Sequence, residues 1–339
     1  MDFTLTKRQK KLLHGLVQKY IQTATPVSSE YLVRHCRLDC SPATVRNELM
    51  ELEEKGLVSQ PYTSAGRIPT DLAYRFYVDG LMKKEPMNCD EGEYLQKSIK
   101  EAQGNLRQLL EKISKILSEI SKELSVVIAP RMIKAVFDKM ELIPLTENKI
   151  LAVVCLHGKK EKRVVLQTSG GEALKDLHRL ASLVAERLSG LTLGEIQQSI
   201  RSRFEGISPF SYPLLRQIID SANELFDFSG PLEIITYGTP FILDQPEFCE
   251  KQVLQQFFSF VEDKQRLFHV FMQQSRPYDV TIGSENKDDR LKPFSLVSAN
   301  YQIGQEDGIL GIIGPIRMHY GKILPLVAHT AQLMTHSLS

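Results

Sequence analysis

The sequence contains no tryptophan, and only five of its 339 residues are cysteine. The cysteines are scattered along the chain, and no second pair completes the zinc-ligand spacing that Cys36 and Cys40 begin. We therefore expect reduced thiols in core or surface positions. The sequence predicts neither a metal site nor a bound cofactor.

Long apolar runs are also missing. No hydrophobic stretch approaches the roughly 18 residues that a membrane-spanning helix needs. The N-terminal segment "MDFTLTKRQKKLLHG" lacks the apolar core and the small-residue cleavage site of a signal peptide. These two features predict a cytoplasmic protein that has no membrane partner.

The chain lacks an excess of either charge, because its 42 basic and 41 acidic residues nearly cancel. This balance conceals an asymmetry: residues 1–84 carry 13 Lys and Arg against nine Asp and Glu, about +4, and the remainder is near −3. A basic N-terminal part is compatible with binding to nucleic acid. The length exceeds what one hydrophobic core usually organises, so we expect two or three domains.

The stretch "SPATVRNELMELEEKG" has the pattern of a capped helix over residues 42–55. Ser41 can cap its N-terminus, a proline suits the first helical position, and Gly56 supplies a left-handed residue at its end. Three apolar residues at helical spacing give one narrow buried stripe, which consists of Val45, Leu49 and Leu52.

The first turns of this helix present small, amide and guanidinium groups away from the buried stripe. Such groups at the beginning of a helix can read base edges in the major groove of DNA. The predicted base-reading residues are Ser41, Ala43, Thr44, Arg46, Asn47 and Met50. Acidic residues follow toward the helix C-terminus, which agrees with insertion N-terminus first. The alternative is a solvated amphipathic helix on which Arg46 pairs with an acid such as Glu30 or Glu53.

The neighbouring segments favour a winged helix. An apolar helical face precedes the stretch in "TKRQKKLLHGLVQKYIQTA", and a second short helix begins near Ser28. Downstream, Leu57 and Val58 open an extended piece, and "PYTSAGRIP" has the residues of a tight loop. In a winged helix this loop lies along the DNA backbone or minor groove, and its predicted contacts are Thr63, Ser64 and Arg67.

Four segments carry a resemblance to a known family. They are "PVSSEYL", "SPATVRNELMELEEKGLVSQPYTSAGRIPT", "AYRFYVDGL" and the closing "IGSENKDDRLKPFSLVSANYQIGQEDGILGIIGPIRMHYGKIL". Together they resemble the heat-inducible transcription repressors called HrcA. That family usually has histidine where this chain has Tyr62, which keeps an aromatic ring and a hydrogen-bond donor, so Tyr62 joins the predicted DNA contacts.

The rest of the chain alternates between strand-like and helical patterns. Strands, then helices, then strands again suggest an α/β domain interrupted by an insertion, and the resemblance implies a GAF-like domain split by an inserted dimerisation domain. The predicted fold class is therefore α+β and multidomain, beginning with a winged helix-turn-helix. The predicted limits are 1–84 for the winged helix, 93–196 and 271–339 for the two GAF-like parts, and 197–270 for the insertion.

Two patterns in this region leave alternatives open. Apolar residues between Leu95 and Leu124 follow a heptad spacing, which fits either an intermolecular coiled coil or a helix packed on the chain's own sheet. Several phenylalanines cluster between Phe248 and Phe271, where they form either a core or a surface for a partner chain.

No sequence pattern indicates catalysis, because the chain has no His-Glu-x-x-His motif and no nucleophile elbow. We therefore expect a protein that is not an enzyme. The resemblance implies a homodimer that binds an inverted-repeat operator in double-stranded DNA, represses heat-shock (chaperone) genes, and depends on the GroEL chaperonin for its activity. The alternative is a winged-helix regulator that uses the GAF-like domain as a pocket for a small molecule.

Overall fold

The computed structural model describes residues 4–63, 65–101, 105–157, 161–167, 176–207, 213–228, 232–273, 278–304 and 306–338. These residues form two units. The first unit comprises Met1–Ala129, Glu233–Tyr301 and Ile309–Ser339, and the second comprises Pro130–Leu232 and Gln302–Gly308.

The first unit begins with the winged helix that the sequence predicts. Three helices precede a two-stranded antiparallel ribbon, and a fourth helix and a π-helical turn follow it. The elements are α1 (Lys7–Thr23), α2 (Ser29–His35), α3 (Pro42–Glu54), β1 (Val58–Ser59), β2 (Ile68–Pro69), α4 (Asp71–Phe76) and the π-helical turn Tyr77–Leu81. A hydroxyl side chain caps the N-terminus of each helix, namely Thr6, Ser28, Ser41 and Thr70.

Two amphipathic helices and the first strand of a larger sheet follow in the same unit. They are α5 (Cys89–Glu101), α6 (Leu106–Ser121) and β3 (Leu124–Arg131). β3 consists mostly of buried residues, which is expected of a central strand covered on both faces.

The second unit contains a three-stranded antiparallel sheet and four helices. Its elements are β4 (Phe137–Thr146), β5 (Lys149–Leu156), β6 (Glu161–Gln167), α7 (Leu177–Leu188), α8 (Leu193–Arg203), α9 (Pro213–Asp220) and α10 (Ala222–Leu225). One face of the sheet carries the alternate residues Ile150, Ala152 and Val154, which are buried in the hydrophobic core with the apolar residues of the helices.

The chain then returns to the first unit and completes the larger sheet. The remaining elements are β7 (Ile234–Tyr237), α11 (Thr239–Leu243), α12 (Lys251–Glu262), α13 (Lys264–Met272), β8 (Tyr278–Ile282), β9 (Phe294–Ile303), β10 (Glu306–Pro315) and α14 (Tyr320–Leu338), with 3₁₀ turns at Pro246–Cys249, Gly283–Glu285 and Asp289–Leu291. The five strands lie in the order β7-β3-β10-β9-β8. The central neighbours β3 and β10 are therefore far apart in the sequence.

The observed division differs from the predicted limits. The segment that separates the parts of the first unit is 130–232, whereas the sequence placed the insertion at 197–270. The strands within 130–167 form their own sheet with α7 to α10 and do not extend the larger one. Strand-like patterns predict strands, but they do not identify the partner with which a strand pairs.

The phenylalanine cluster lies in the first unit and provides most of its rings to the core. Phe248 stacks on Phe294 with ring centroids 5.1 Å apart, and Phe257 lies 4.8 Å from the same ring. Phe257, Phe260 and Phe271 are fully buried. The core interpretation is confirmed for these rings, while Phe258 and Phe268 are half-buried.

The heptad pattern also serves the chain's own core. Leu95 and Ile99 on α5, and Ile113 on α6, are completely buried, and the helices contact each other and α14. Leu106 remains 44% exposed. Two helices packed within the unit therefore stand where the sequence suggested one long helix.

Within the described ranges, no helix is long and apolar enough to cross a membrane. In the same part of the chain, His, Cys, Asp and Glu side chains form no group of three that could hold a metal ion. All five cysteines are described and are free thiols.

Candidate nucleic-acid interface

Helix α3 has the start and the buried face that its sequence predicts. The Ser41 hydroxyl accepts a hydrogen bond from the backbone N–H of Thr44 at 3.2 Å, and Pro42 occupies the first turn. Val45 and Leu52 are completely buried, and Leu49 is nearly so. This packing fixes α3 on the domain core and leaves its opposite face in solvent.

The predicted base-reading residues lie on that solvent face. Ala43, Arg46 and Asn47 are exposed, and Thr44 is partly exposed. The side chain of Met50 has 54% of its area accessible, which is unusual for a large apolar residue. A helix that exposes an amide, a guanidinium and an apolar group within two turns can meet base edges and thymine methyl groups.

Arg46 pairs with an acid, as the alternative reading of its role allowed. Its terminal nitrogen donates to Glu30 at 2.8 Å, and its Nε donates to Ser29 at 3.3 Å. A hydrogen bond from its own backbone N–H, followed by the contact with Arg46, lowers the pKa of Glu30. Both side chains are largely exposed, at 65% and 46%. An exposed ion pair is weak, so Arg46 can exchange it for a DNA contact at small cost.

The first turn of α1 binds two of the acidic residues of α3. Arg8 contacts Glu48 at 2.7 Å, and Gln9 donates to Glu51 at the same distance. Two of the acidic residues that would repel phosphate are therefore engaged inside the domain. Sequence reasoning missed these partners, because a contact across some 40 residues has no local signal.

The wing is a ribbon whose loop is organised by Gln60. The Gln60 amide donates to the carbonyl oxygens of Thr63 at 2.9 Å and Ala65 at 3.0 Å. Tyr62 is 63% exposed, and Thr63 is exposed beside it, so both can reach a DNA backbone. Ser64, the third predicted contact of this loop, lies outside the described residues.

Arg67 is placed differently from the prediction. Its backbone pairs with that of Val27 through two hydrogen bonds of 2.9 Å, which adds a bridge to the ribbon. Its guanidinium contacts Glu53 at 2.9 Å, and only 15% of its side chain is accessible. Arg67 therefore ties the base of the wing to α2 and α3 and does not project from the loop tip.

A cleft of 380 Å³ brings the recognition helix and the wing together. Arg46 and Met50 line it from α3, Thr63 and Arg67 from the wing, and Glu30 from α2. Residues predicted separately from the helix and the loop thus share one surface.

These features define a winged-helix DNA-binding protein with an exposed recognition helix and an ordered wing base. Comparison with protein families agrees. The model described as "Winged helix-turn-helix transcription repressor, HrcA DNA-binding" matches residues 4–79, and "HrcA protein C terminal domain" matches residues 107–324. The chain belongs to the HrcA family of heat-inducible transcription repressors, which confirms the resemblance seen in the sequence.

Relatives match along the whole chain. The heat-inducible transcription repressor HrcA of Chlorobium phaeobacteroides (strain BS1) is 34% identical over 352 residues, which cover 100% of both chains. The HrcA of Desulfitobacterium hafniense (strain DSM 10664 / DCB-2) is 33% identical over 344 residues, covering 99% of this chain and 98% of the relative. A crystal structure of a hypothetical protein shares the fold, with a TM-score of 0.56 and 20% identity over 98% of this chain and 100% of that one.

Proposed function

We propose that this repressor binds an inverted-repeat operator ahead of chaperone genes as a homodimer. The exposed face of α3 supports this proposal most strongly, because Arg46, Asn47 and Met50 are exposed on a capped helix, and Arg46 and Met50 line the cleft shared with the wing. In this proposal Arg46 and Asn47 hydrogen-bond base edges, and Tyr62 and Thr63 follow the DNA backbone. Ser41, Ala43, Thr44 and Ser64 complete the proposed contact surface.

The proposed activity is DNA binding without chemistry, so the protein acts as a regulator and not as an enzyme. The proposed site of action is the cytoplasm, because the repressor must reach its operator DNA there. We propose in addition that a GroEL-type chaperonin keeps the repressor in its active form. When unfolded proteins occupy the chaperonin, less repressor would be kept active, and the chaperone genes would then be expressed.

The second unit offers a surface for the homodimer. The sheet face opposite its core exposes Ile143 at 43% and Val165 at 50%, with Leu151 between them in register. Two charged rows continue this face. Lys139 lines up with Cys155 and Glu161, and Glu141 lines up with Val153 and Arg163.

The charged and apolar rows of this sheet face are complementary to the same rows on a second copy of the chain. A two-fold axis parallel to β5 would place the β4 strand of one copy over the β6 strand of the other. Lys139 would then face the partner's Glu161, Glu141 would face the partner's Arg163, and the apolar row would meet its own equivalent. We therefore propose a second copy of this chain as the occupant of the face. This proposal moves the dimer contact from 197–270 to the sheet within 137–167.

The DNA-binding proposal is tested by titration on matched duplexes. Footprinting on the promoters of chaperone operons supplies the operator, and a scrambled duplex of equal length is the reference. Arg46→Ala and Asn47→Ala should each cost roughly 1–3 kcal/mol on the operator and much less on scrambled DNA. Glu54→Gln, on the far end of α3, is the control and should keep the discrimination. If both truncations retain full discrimination between the duplexes, α3 is not the recognition helix.

A further inference from the structure

Two of the sequence segments that carry the family resemblance contact each other within the first unit. Helix α4 lies in the segment "AYRFYVDGL" and the residues just before it, and the turn after β8 lies in "IGSENKDD". A carboxylate oxygen of Asp71 accepts a hydrogen bond from the backbone N–H of Ser284 at 2.8 Å. None of these residues belongs to the proposed DNA-contact surface.

An arginine pair strengthens the same contact. Arg75 Nε donates to Glu285 Oε1 at 2.7 Å. One terminal nitrogen, Nη2, donates both to the other carboxylate oxygen of Glu285 and to the carbonyl of Val280, the latter at 2.6 Å. The side chains of Arg75 and Glu285 are only 27% and 35% exposed. A two-pronged, half-buried pair fixes an orientation more firmly than a single exposed pair.

The turn that receives α4 is held rigid from its inner side. The Asn286 amide donates to three backbone carbonyls, those of Gly283 at 3.0 Å, Leu291 at 3.0 Å and Phe294 at 2.8 Å. Thr281 donates to its amide oxygen at 2.8 Å. Asn286 is buried, so these bonds hold the turn in one conformation before α4 docks on it.

Gly283 marks the closest approach between the two segments. Its φ is +53°, and a Cβ added to it would lie 2.3 Å from a carboxylate oxygen of Asp71. A side chain at this position would displace the Asp71 carboxylate and break its hydrogen bond with the backbone N–H of Ser284. We call Asp71, Arg75, Gly283, Ser284 and Glu285 the docking seam.

Helix α4 connects the docking seam to the recognition helix α3. The Thr70 hydroxyl caps α4 and donates to the carbonyl of Gly56, just after α3, at 2.7 Å. Tyr74 of α4 is almost completely buried. A shift of α4 would therefore carry α3 with it.

We propose that the docking seam holds α3 in one direction relative to the five-stranded sheet, and that the dimer needs this fixed direction to select one half-site separation. Asp71 and Arg75 are positioning residues in this role. The proposal rests on the proposed function, because only a dimer on an inverted repeat has a half-site separation to select. Two recognition helices of fixed direction bind one spacing well, whereas loosely held helices bind many spacings equally.

The test uses the full-length protein with Gly283→Ala, which disrupts the Asp71 contact of the seam and lies outside the recognition helix and the wing. Gly304→Ala is the matched control, since Gly304 has a φ of +60° and nothing within 4 Å of an added Cβ. Binding is measured on the footprinted operator, on versions with about two or five base pairs added between the half-sites, and on a single half-site. Wild type and Gly304→Ala should prefer the native spacing on the order of tenfold or more.

Gly283→Ala should lose most of this preference, to within about twofold, and keep its single half-site affinity. Circular dichroism checks the folding of Gly283→Ala. Glu285→Gln is a second variant: it weakens the pair with Arg75, but the side-chain oxygen of the new glutamine can still accept the hydrogen bond from the backbone N–H of Ile282. If folded Gly283→Ala keeps the full spacing preference, the seam proposal alone is overturned. If Gly283→Ala does not fold, the same result with Glu285→Gln overturns it. Wild-type protein that binds the inverted repeat no better than a single half-site overturns the proposed dimeric function and the seam proposal together.

Discussion

Two arginines of the winged helix have the same chemistry and different surroundings. Arg46 is 65% exposed and paired with an exposed acid, whereas Arg67 is 15% exposed and paired with Glu53. The sequence predicted a DNA contact for both, because both occupy segments that approach DNA in this fold. It could not predict the burial of Arg67, which arises from a backbone bridge to Val27 some 40 residues earlier.

The position of Arg67 leads to a prediction about how it supports binding. Arg67→Ala should weaken operator binding because the wing base loses its anchor, and the dependence of binding on salt should stay unchanged. Loss of a direct phosphate contact would instead lower the salt slope by about 0.9. Titrations at several salt concentrations measure both quantities.

The partner of Arg67 provides the control for this prediction. Glu53→Gln should weaken operator binding in the same way, and the double variant should lose little more than either single one. Strictly additive losses, or a lower salt slope in Arg67→Ala alone, would show that Arg67 acts on DNA directly.

Among the elements, local patterns predicted helices well and sheet partners poorly. The cap, the buried stripe and the end of α3 all follow from a few neighbouring residues, and the structure confirms them. The strands within 137–167 were predicted within the first GAF-like part, but the sequence did not show that they form a separate sheet, because pairing depends on contacts far apart in the sequence. The alternative function, in which the GAF-like domain binds a small molecule, stays a prediction.

The junction between α6 and β3 contains a buried acid that should make stability depend on pH. Glu123 is 5% exposed, packs against Gly314, and has one carboxylate oxygen without a hydrogen-bond partner among the described residues. Burial raises the pKa of Glu123 well above its ordinary value of 4.5, although Arg317 opposes the shift and Glu247 adds to it. The folded state therefore favours the protonated form.

The sign of the pH effect follows from this raised pKa. Below the unfolded-state pKa the acid is protonated in both states, and its contribution to stability is fully present; it is lost as pH rises toward the folded-state pKa. As pH rises above the ordinary pKa of 4.5, the Tm of the wild type should fall more steeply than that of Glu123→Gln. Thermal unfolding across this range measures the difference, with the exposed Glu250→Gln as the control. Parallel Tm curves for wild type and Glu123→Gln would contradict the assignment.

For the whole molecule, the exposed sheet face of the second unit predicts how the dimer can be broken. Val165→Glu should yield monomers, because it places a charge in the apolar row that meets its equivalent in the partner. Half of the Val165 side chain is in solvent, so folding should be preserved. Sedimentation and operator titration measure the outcome, and Gln198→Glu, an exposed position on α8, is the control.

The same face offers a direct distance test. The proposed axis passes near Cys155, so the two copies of this thiol should be joined by a reagent that spans about 10 Å, the usual separation of packed sheets. The exposed Cys89 and Cys249 and the partly exposed Cys40 are replaced by serine to remove competing reactions. The dimer contact would lie elsewhere if Val165→Glu remained dimeric and the two copies of Cys155 could not be cross-linked.

The way the chain assembles its larger sheet also predicts a folding requirement. β3 pairs with β7 from Ser125↔Tyr237 to Ile128↔Ile234, so these two strands join only after about a hundred further residues have been made, including the segment Pro130–Leu232 of the second unit. Non-local strand pairing is slow, and it leaves apolar strands and rings exposed in intermediates that aggregate. After dilution from denaturant, operator binding should therefore recover further with a GroEL-type chaperonin and ATP than in buffer alone. Chaperonin without ATP is the control, since it should capture the chain without releasing active repressor. Equal recovery in all three conditions would show that the sheet assembles unaided, and the proposed chaperonin dependence would then need another physical basis.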